Sequence, residues 1–427
     1  MRAGVATAAV MGAAFLRTRA LHRWLTSRQR IERRQASRLE RLRLHAISQT
    51  AYYRRLGDVP FTSFPVVDKA EVMQAFGDFN TLALSAADAW HRLESGHAPA
   101  GYDIGCSTGT SGNRGLYLVS DRERFLWLGT ILAKAVPDAF VRRHRVAVIL
   151  PRTSRLYDSA NESRLLTLRF FDLNHGLETI ADHLTSYRPT IVVAPPKALR
   201  WLAEQAVPIS PEHCFTSAEV LDAPDRAVIE RTYAVRLGQI YMATEGLFAV
   251  SCRHGTLHLA EDAVHFELEP VRNGSSLVTP IVTDLQRRAQ VMARYRMNDL
   301  LRLSSEPCPC GSALQAVDEI VGRRDDCFEL AARASSVTIT PDVLRNAVLG
   351  AHTSIDDFRL RQTGDNTIEL VLSPRLADEI AEAARCAVIA CCTSLGTCPN
   401  VTMRREELPI DTRSKLRRVE QQWRKAV

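Results

Sequence analysis

Lysine is scarce in this chain of 427 residues: only Lys69, Lys134, Lys197, Lys415 and Lys425 among 55 basic side chains. The net charge of +7 is therefore almost wholly arginine and is spread along the sequence. It reads as compositional bias rather than a polyanion surface, and no nucleic-acid partner is expected. Long apolar runs are also missing. Val5 to Leu16 is twelve residues, short of the ~20 needed to span a bilayer, and Arg17, Arg19 and Arg23 follow it, so no transmembrane segment is expected. Only Arg2 precedes that run and no small-residue cleavage site follows, which is not the pattern of a secretory signal. Ten cysteines without such a signal point to free thiols in a reducing, cytoplasmic compartment. There is no internal repeat and no low-complexity tract.

What remains is ordinary globular composition, 46% hydrophobic and 24% charged, long enough for two or three domains. Residues 1–38 read as a basic extension, a frayed helix leading into the stretch Arg28 to Arg43 with Leu39, Leu42 and Leu44 turned inward. A weak peripheral membrane contact is the other role open to that segment. From Arg145 to Tyr241, short apolar runs (Val146 to Leu150, Leu165 to Phe171, Ile191 to Ala194, Ile240 to Met242) alternate with amphipathic stretches such as Lys197 to Glu204 after Pro195-Pro196. That is the signature of buried parallel strands between helices. Past Gly322 the texture becomes α+β: Phe358 to Arg361, Thr367 to Leu372, the helix Ala377 to Thr393 and Val401 to Arg404. The fold class expected is α/β, with a large domain (39–322) of mixed or parallel sheets flanked by helices and a small mobile C-terminal α+β domain (323–427). Cys386, Cys391, Cys392 and Cys398 read as core filler.

Three groups of residues carry chemistry. Ser107-Thr108-Gly109-Thr110-Ser111-Gly112, continuing to Gly115, offers hydroxyls and a backbone that can approach a ligand closely, as a polyphosphate requires. The Lys-Ser/Thr pair of a Walker loop is absent. Tyr241-Met242-Ala243-Thr244-Glu245-Gly246 follows an apolar run: a ring to stack on a base, a hydroxyl for phosphate, a carboxylate for magnesium. Cys308-Pro309-Cys310, with Cys252 and either His254 or His258, gives three thiolates and an imidazole, the ligand set of a closed structural zinc site. A nucleic-acid zinc ribbon would need a second cysteine near Cys252, which is missing.

In this order the first two groups resemble the acyl-adenylating superfamily of acyl-CoA synthetases, luciferases and peptide-synthetase adenylation domains. The chain looks most like its phenylacetate-CoA ligase branch, which also holds synthetases that adenylate a deazaflavin cofactor. Further stretches match: Tyr52-Tyr53-Arg54-Arg55, Pro65-Val66-Val67-Asp68-Lys69, the adenine-contacting turn Ser217-Ala218-Glu219 with serine in place of glycine, Arg296 to Leu300 with Asp299 as the ribose ligand, and Val321 to Asp326 as the hinge. The resemblance spans about residues 39 to 420. It implies that Arg323 joins Asp299 at the ribose, that rotation occurs at Asp325, and that Lys415 meets carboxylate and α-phosphate during adenylation. It also favours His258 over His254 as the zinc ligand. Ser414 replaces a family glycine, and the glycine expected soon after the hinge is absent from Cys327 to Thr338.

The function so implied is ATP-dependent activation of a carboxylic acid, an aromatic one among the candidates, as acyl-AMP, then transfer to the thiol of CoA or of a carrier protein's phosphopantetheine. ATP, Mg2+ (on Glu245) and structural Zn2+ are the cofactors implied. The partners are a small carboxylic acid, an acyl carrier protein as one thiol source, and a second copy in a homodimer. Phe125, Trp127 and the segment from Ala218 to Tyr241 are candidate acyl-pocket linings. Two rival readings are an adenylyltransferase that leaves AMP on its product and a non-catalytic zinc module.

Overall fold

The structure is a computed structural model that describes residues 2–107, 114–150, 165–272, 274–332, 336–410 and 415–423. The chain opens with two long helices, α1 (Arg2–Trp24) and α2 (Arg28–Gln49), then the shorter α3 (Ala51–Arg54), α4 (Lys69–Gln74) and α5 (Ala86–Ser95). A hairpin, β1 (Tyr102–Cys106) and β2 (Leu116–Ser120), leads into α6 (Asp121–Ala135). An alternating stretch follows: β3 (His144–Leu150), β4 (Leu166–Asp172), α7 (Leu177–Tyr187), β5 (Ile191–Ala194), α8 (Pro196–Glu204), β6 (His213–Ser217), α9 (Ala223–Tyr233) and β7 (Leu237–Ala243). Then come β8 (Gly246–Ser251), β9 (Leu257–Leu259), β10 (Val264–Pro270), β11 (Leu277–Asp284), β12 (Tyr295–Arg296), β13 (Asp299–Leu303) and β14 (Ala316–Arg323). The remainder is β15 (Phe328–Ala331), β16 (Ser336–Ile339), α10 (Pro341–Ala351), β17 (Phe358–Gly364), β18 (Thr367–Leu372), α11 (Asp378–Ser394), β19 (Asn400–Arg405) and β20 (Val419–Gln421).

One large mixed sheet runs β10-β11-β13-β14-β9-β8-β7-β6-β5-β3-β4, with β12 beside β11. From β4 to β7 every pairing is parallel; from β7 to β10 every pairing is antiparallel. The apolar runs explain the first half, because β3 and β5 are covered by helices, whereas β4 at the edge alternates in burial. Pro195 and Pro196 stop β5 and start α8, with proline preset for a first helical turn. The small domain is a four-stranded sheet, β19-β18-β17-β20, whose apolar face packs on α10 and α11 around Phe358, Leu370 and Val388.

The N-terminal region differs from expectation. α1 is a docked helix rather than a frayed one: Met11 and Phe15 join the core around α6, and a Cβ at Gly129 would lie 2.3 Å from the Met11 carbonyl oxygen. On α2 the buried stripe is Ile31, Gln35, Leu42 and Ala46; Leu39 is half-buried and Leu44 faces solvent. Leu44 follows Leu42 by two residues, roughly 200° around the helix, so both cannot face the core. The late cysteines also divide: Cys392 is buried, but Cys386 and Cys398 are exposed, so they fill no core. No described helix is long and apolar enough to cross a membrane.

Candidate active site

The sheet changes from parallel to antiparallel at β7 and β8, and the cleft lies where β6 and β7 end. β6 ends at Ser217, and Ala218 then turns at a φ of +73°, a left-handed conformation that costs about 1 kcal/mol for a residue with a Cβ. The turn sends Glu219 inward. Its Oε1 accepts the Leu416 N–H at 3.0 Å, while Oε2 is buried without a hydrogen-bond partner in the cleft wall. Burial pushes the Glu219 carboxyl above its ordinary pKa, opposed by that N–H and by the nearby cations Lys415, Arg418 and Lys197.

Tyr241, Met242 and Ala243 form the opposite wall. Tyr241 has its ring largely in the core, and its hydroxyl donates to Asp299 Oδ2 at 2.5 Å. Asp299 begins β13 directly opposite Arg323 on β14, so two separate motifs are cross-strand neighbours. Lys415 closes the cleft from the small domain. Burial and then the Arg323 charge hold its ammonium below the usual lysine range, while Asp299, Glu219 and Glu245 act the other way. Asp325 sits in the short turn after β14, where its N–H donates to Asn298 Oδ1 at 3.3 Å.

Thr244 and Glu245 make the turn from β7 to β8. Glu245 accepts from Thr244 Oγ1 and from Tyr295, each at 2.9 Å. Both donors are neutral hydroxyls. Beneath the turn lies Arg287, fully buried, donating to the Thr244 and Glu245 carbonyls at 3.1 and 3.2 Å and to Gln290 at 2.7 Å. Gly246 has a φ of +157°, and a Cβ there would meet Asp284 at 3.0 Å.

Thr108, Gly109, Thr110, Ser111 and Gly112 lie outside the described residues; the neck of their loop does not. Ser107 Oγ accepts from the Gly115 N–H at 2.8 Å and from Lys69 Nζ at 3.3 Å. A Cβ at Gly115 would be 2.8 Å from Lys69 Cε, so glycine lets the lysine pass. Burial lowers the Lys69 pKa, and Glu245 opposes it. Lys69, Tyr295 and Arg287 are thus site residues to which sequence reasoning gave no role; only Lys69 carried a signal, as a lysine in an arginine-rich chain. Phe125, expected to line an acyl pocket, is instead buried in the core with Met11 and Phe15. Trp127 packs with Val119 and Tyr117, below the Arg287 guanidinium at 5.7 Å.

On the antiparallel half, Cys252, His258, Cys308 and Cys310 present ligand atoms all within 4.8 Å of one another. Cys252 and Cys308 sulfurs are 3.7 Å apart, and Cys310 Sγ is 3.3 Å from His258 Nε2. A tetrahedron around zinc with Zn–S bonds of about 2.3 Å has S–S edges of about 3.8 Å. The N–H groups of His254 and Ser312 point at Cys252 and Cys310 sulfurs, each at 3.4 Å, and His258 Nδ1 is 3.1 Å from the Leu314 carbonyl. That contact holds Nε2 toward the thiols, while His254 is outside the cluster.

The small domain meets the large one through buried charge. Arg418 pairs with Asp222, with Asp225 at 3.2 Å and with Asp357 at 3.1 Å. Arg345 reaches Asp222 at 2.9 Å, and Arg200 bridges Asp225 and Asp356 at 2.9 and 3.0 Å.

No family model and no curated protein matches the chain. Solved structures do. 2-Hydroxyisobutyryl-CoA ligase in the postadenylation state with R3-HIB-AMP is similar with a TM-score of 0.68 at 16% identity, over 90% of this chain and 88% of that one. The same ligase in the thioesterification state, with 2-HIB-AMP and CoA, gives 0.55 at 17% identity, over 92% and 90%. Amide bond synthetase McbA from Marinactinospora thermotolerans gives 0.54 at 13% identity, over 75% and 68%. The fold is therefore that of these ligases: a large α/β domain followed by a small C-terminal one.

Proposed function

We propose that the chain is an ATP-dependent ligase that activates a carboxylic acid as its acyl-AMP and passes the acyl group to a thiol. The observation that carries this reading is convergence: Glu219, Tyr241, Asp299, Arg323 and Lys415, far apart in sequence, line one cleft. These are the positions that resemble the acyl-adenylating superfamily, and the phenylacetate-CoA ligase branch is the relation the motifs favour.

In the proposed step a carboxylate oxygen forms a bond to the α-phosphorus, the bond from phosphorus to the bridging oxygen breaks in line, and pyrophosphate leaves. A carboxylate needs no general base, so the protein's task is alignment and charge neutralisation. Lys415 bridges carboxylate and α-phosphate, and Thr244 donates to the same phosphate. Asp299, oriented by Tyr241, takes the ribose hydroxyls beside Arg323. The unpartnered Glu219 oxygen suits a donor such as the adenine amino group. Glu245 would hold magnesium, which neutralises phosphate charge when bound. Cys252, His258, Cys308 and Cys310 would hold a structural zinc. The small domain then turns about Asp325 so that the thiol of CoA or of a carrier's phosphopantetheine can attack the acyl carbon and release AMP.

A second reading, in which the acyl-AMP or adenylated product is released without thiol transfer, is favoured by the buried ion pairs that fasten the small domain and by the absence of the glycine expected soon after the hinge, between Cys327 and Thr338. ATP–pyrophosphate exchange over a panel of carboxylic acids tests the class, and product analysis with and without CoA separates the readings. Exchange is expected with a subset of acids and to fall roughly 100-fold or more in Lys415→Ala, the scale of losing one transition-state contact. No exchange with any acid, or wild-type exchange in the variant, would overturn the proposal.

A further inference from the structure

The N-terminal helices gather a concentration of positive charge that the proposed reaction does not use. Arg34, Arg38 and Arg41 stand at i, i+4 and i+7 on α2, one side of the helix. Arg17 of α1 and Arg288, in the turn after β11, are near neighbours of that side. Arg38 and Arg288 donate to the same acceptor, the Leu285 carbonyl, at 2.9 and 3.3 Å, so two guanidinium groups are drawn onto one oxygen. The Nε atoms of Arg17 and Arg38 are buried and have no acceptor.

Other arginines on the same helix are paired. Arg28 and Arg43, near the two ends of the same helix, are bonded to Glu261 and to Asp58 and Glu40. Among the described residues Arg17, Arg34, Arg38, Arg41 and Arg288 have no ion pair. Among the described residues three acidic groups face the cluster: Asp262, which pairs with Lys134 at 2.7 Å, and Asp284 and Glu123, whose oxygens accept the N–H groups of Gln286 and Arg287 and of Arg288 and Ala289. Burial first, then the charges of Arg34, Arg17, Arg288 and Arg41, push Arg38 down to about 10. Arg17, Arg34, Arg38, Arg41 and Arg288 outnumber those carboxylates and pair with none of them, and such an excess of like charge is repulsive in the folded protein unless an anion joins it.

We infer that Arg17, Arg34, Arg38 and Arg288 form a binding site for a phosphate group, carried by a small phosphorylated molecule or by a lipid headgroup. Several guanidinium forks around one place call for more than one negative charge and more than two acceptor oxygens. Phosphate supplies both and a carboxylate does not. The arginine excess that looks compositional along the sequence is, at this place, local and unpaired.

The test uses the full chain, with inorganic phosphate as one probe and phosphatidylglycerol or phosphatidylcholine vesicles as the other. Phosphate is expected to raise the melting temperature of the wild type and of Lys415→Ala alike, which separates this site from the proposed active site. Arg38→Met is expected to lose that stabilisation, with affinity down about tenfold or more, yet to melt at or above the wild type in phosphate-free buffer because it removes a repulsive charge. Arg38→Lys keeps the charge without the fork and is expected to fall between. Binding only to phosphatidylglycerol vesicles, lost in Arg38→Met, would identify the lipid source; a response to phosphate alone would identify a soluble ligand. Wild type that responds to neither probe, or responses unchanged in Arg38→Met, would overturn the inference.

Discussion

Lys415 has to be charged to bridge a carboxylate and a phosphate, yet burial and the Arg323 guanidinium both favour its neutral form. The sign of the resulting pH dependence follows. The ammonium is present below its pKa, that pKa is lowered, and the rate of acyl-AMP formation therefore falls as pH rises through a value below the ordinary ~10.4 of lysine. Lys415→Arg should lose this alkaline limb, since guanidinium stays protonated, while running slower because a planar fork replaces a compact charge. Pyrophosphate exchange measured from neutral to alkaline pH checks this; an unchanged alkaline limb in Lys415→Arg would remove Lys415 from the step. Lys415 stood out in the sequence because lysine is rare there. Tyr295 and Arg287 did not, since nothing near either of them marks a contact with Glu245 or with the Thr244 carbonyl, 43 residues from Arg287. Lys69 lay between: its rarity was visible, but its hydrogen bond to Ser107, 38 residues away, was not.

At the scale of elements, hydrophobic period was a good guide where it was strict. The runs Val146 to Leu150 and Ile191 to Ala194 are strands β3 and β5 because each lies between helices, and covering both faces demands unbroken apolarity. It failed on α2, where arginine interrupts the apolar stripe and Gln35 takes a buried position by donating to the Glu261 carbonyl at 2.8 Å. The cysteine spacing named the metal cluster but left His254 and His258 open; what separates them is that His258 lies on β9, between Val250 of β8 and Ala316 of β14. The proposed zinc thus ties the β8–β9 turn to the loop between β13 and β14, the two strands that begin with Asp299 and end with Arg323. Cys310→Ser is expected to lower zinc from about one per chain and the melting temperature by roughly 5 °C or more, with weaker binding of an acyl-AMP analogue. Elemental analysis and calorimetry check it, and a variant that keeps both zinc and melting temperature would count against a structural metal.

At the scale of the whole molecule the question is what holds the small domain where Lys415 faces the cleft. The change of texture after Gly322 was visible in the sequence, but the pairing of Arg418 with Asp222, 196 residues away, leaves no local pattern. Arg418 is buried with Asp222 and Asp225, and both belong to the large domain. Breaking a buried pair by removing one partner costs about 3–5 kcal/mol. Here the loss should sit toward the lower end, because Arg345 still serves Asp222 and Arg200 still serves Asp225. Most of that energy belongs to the closed arrangement rather than to either domain's own core, so Arg418→Ala should open the molecule instead of unfolding it. Lys415 is three residues from Arg418, and the Leu416 N–H to Glu219 bond lies between them, so opening withdraws the lysine. Two rates should then move apart: pyrophosphate exchange falls at least about tenfold, while thioester formation from preformed acyl-AMP and CoA holds or rises, because that step uses a turned domain. Small-angle scattering should show a larger radius of gyration without loss of secondary structure by circular dichroism. If exchange and radius both stay at wild-type values, the buried charges do not set the domain arrangement. If thioester formation falls together with exchange, they serve both steps and are no latch.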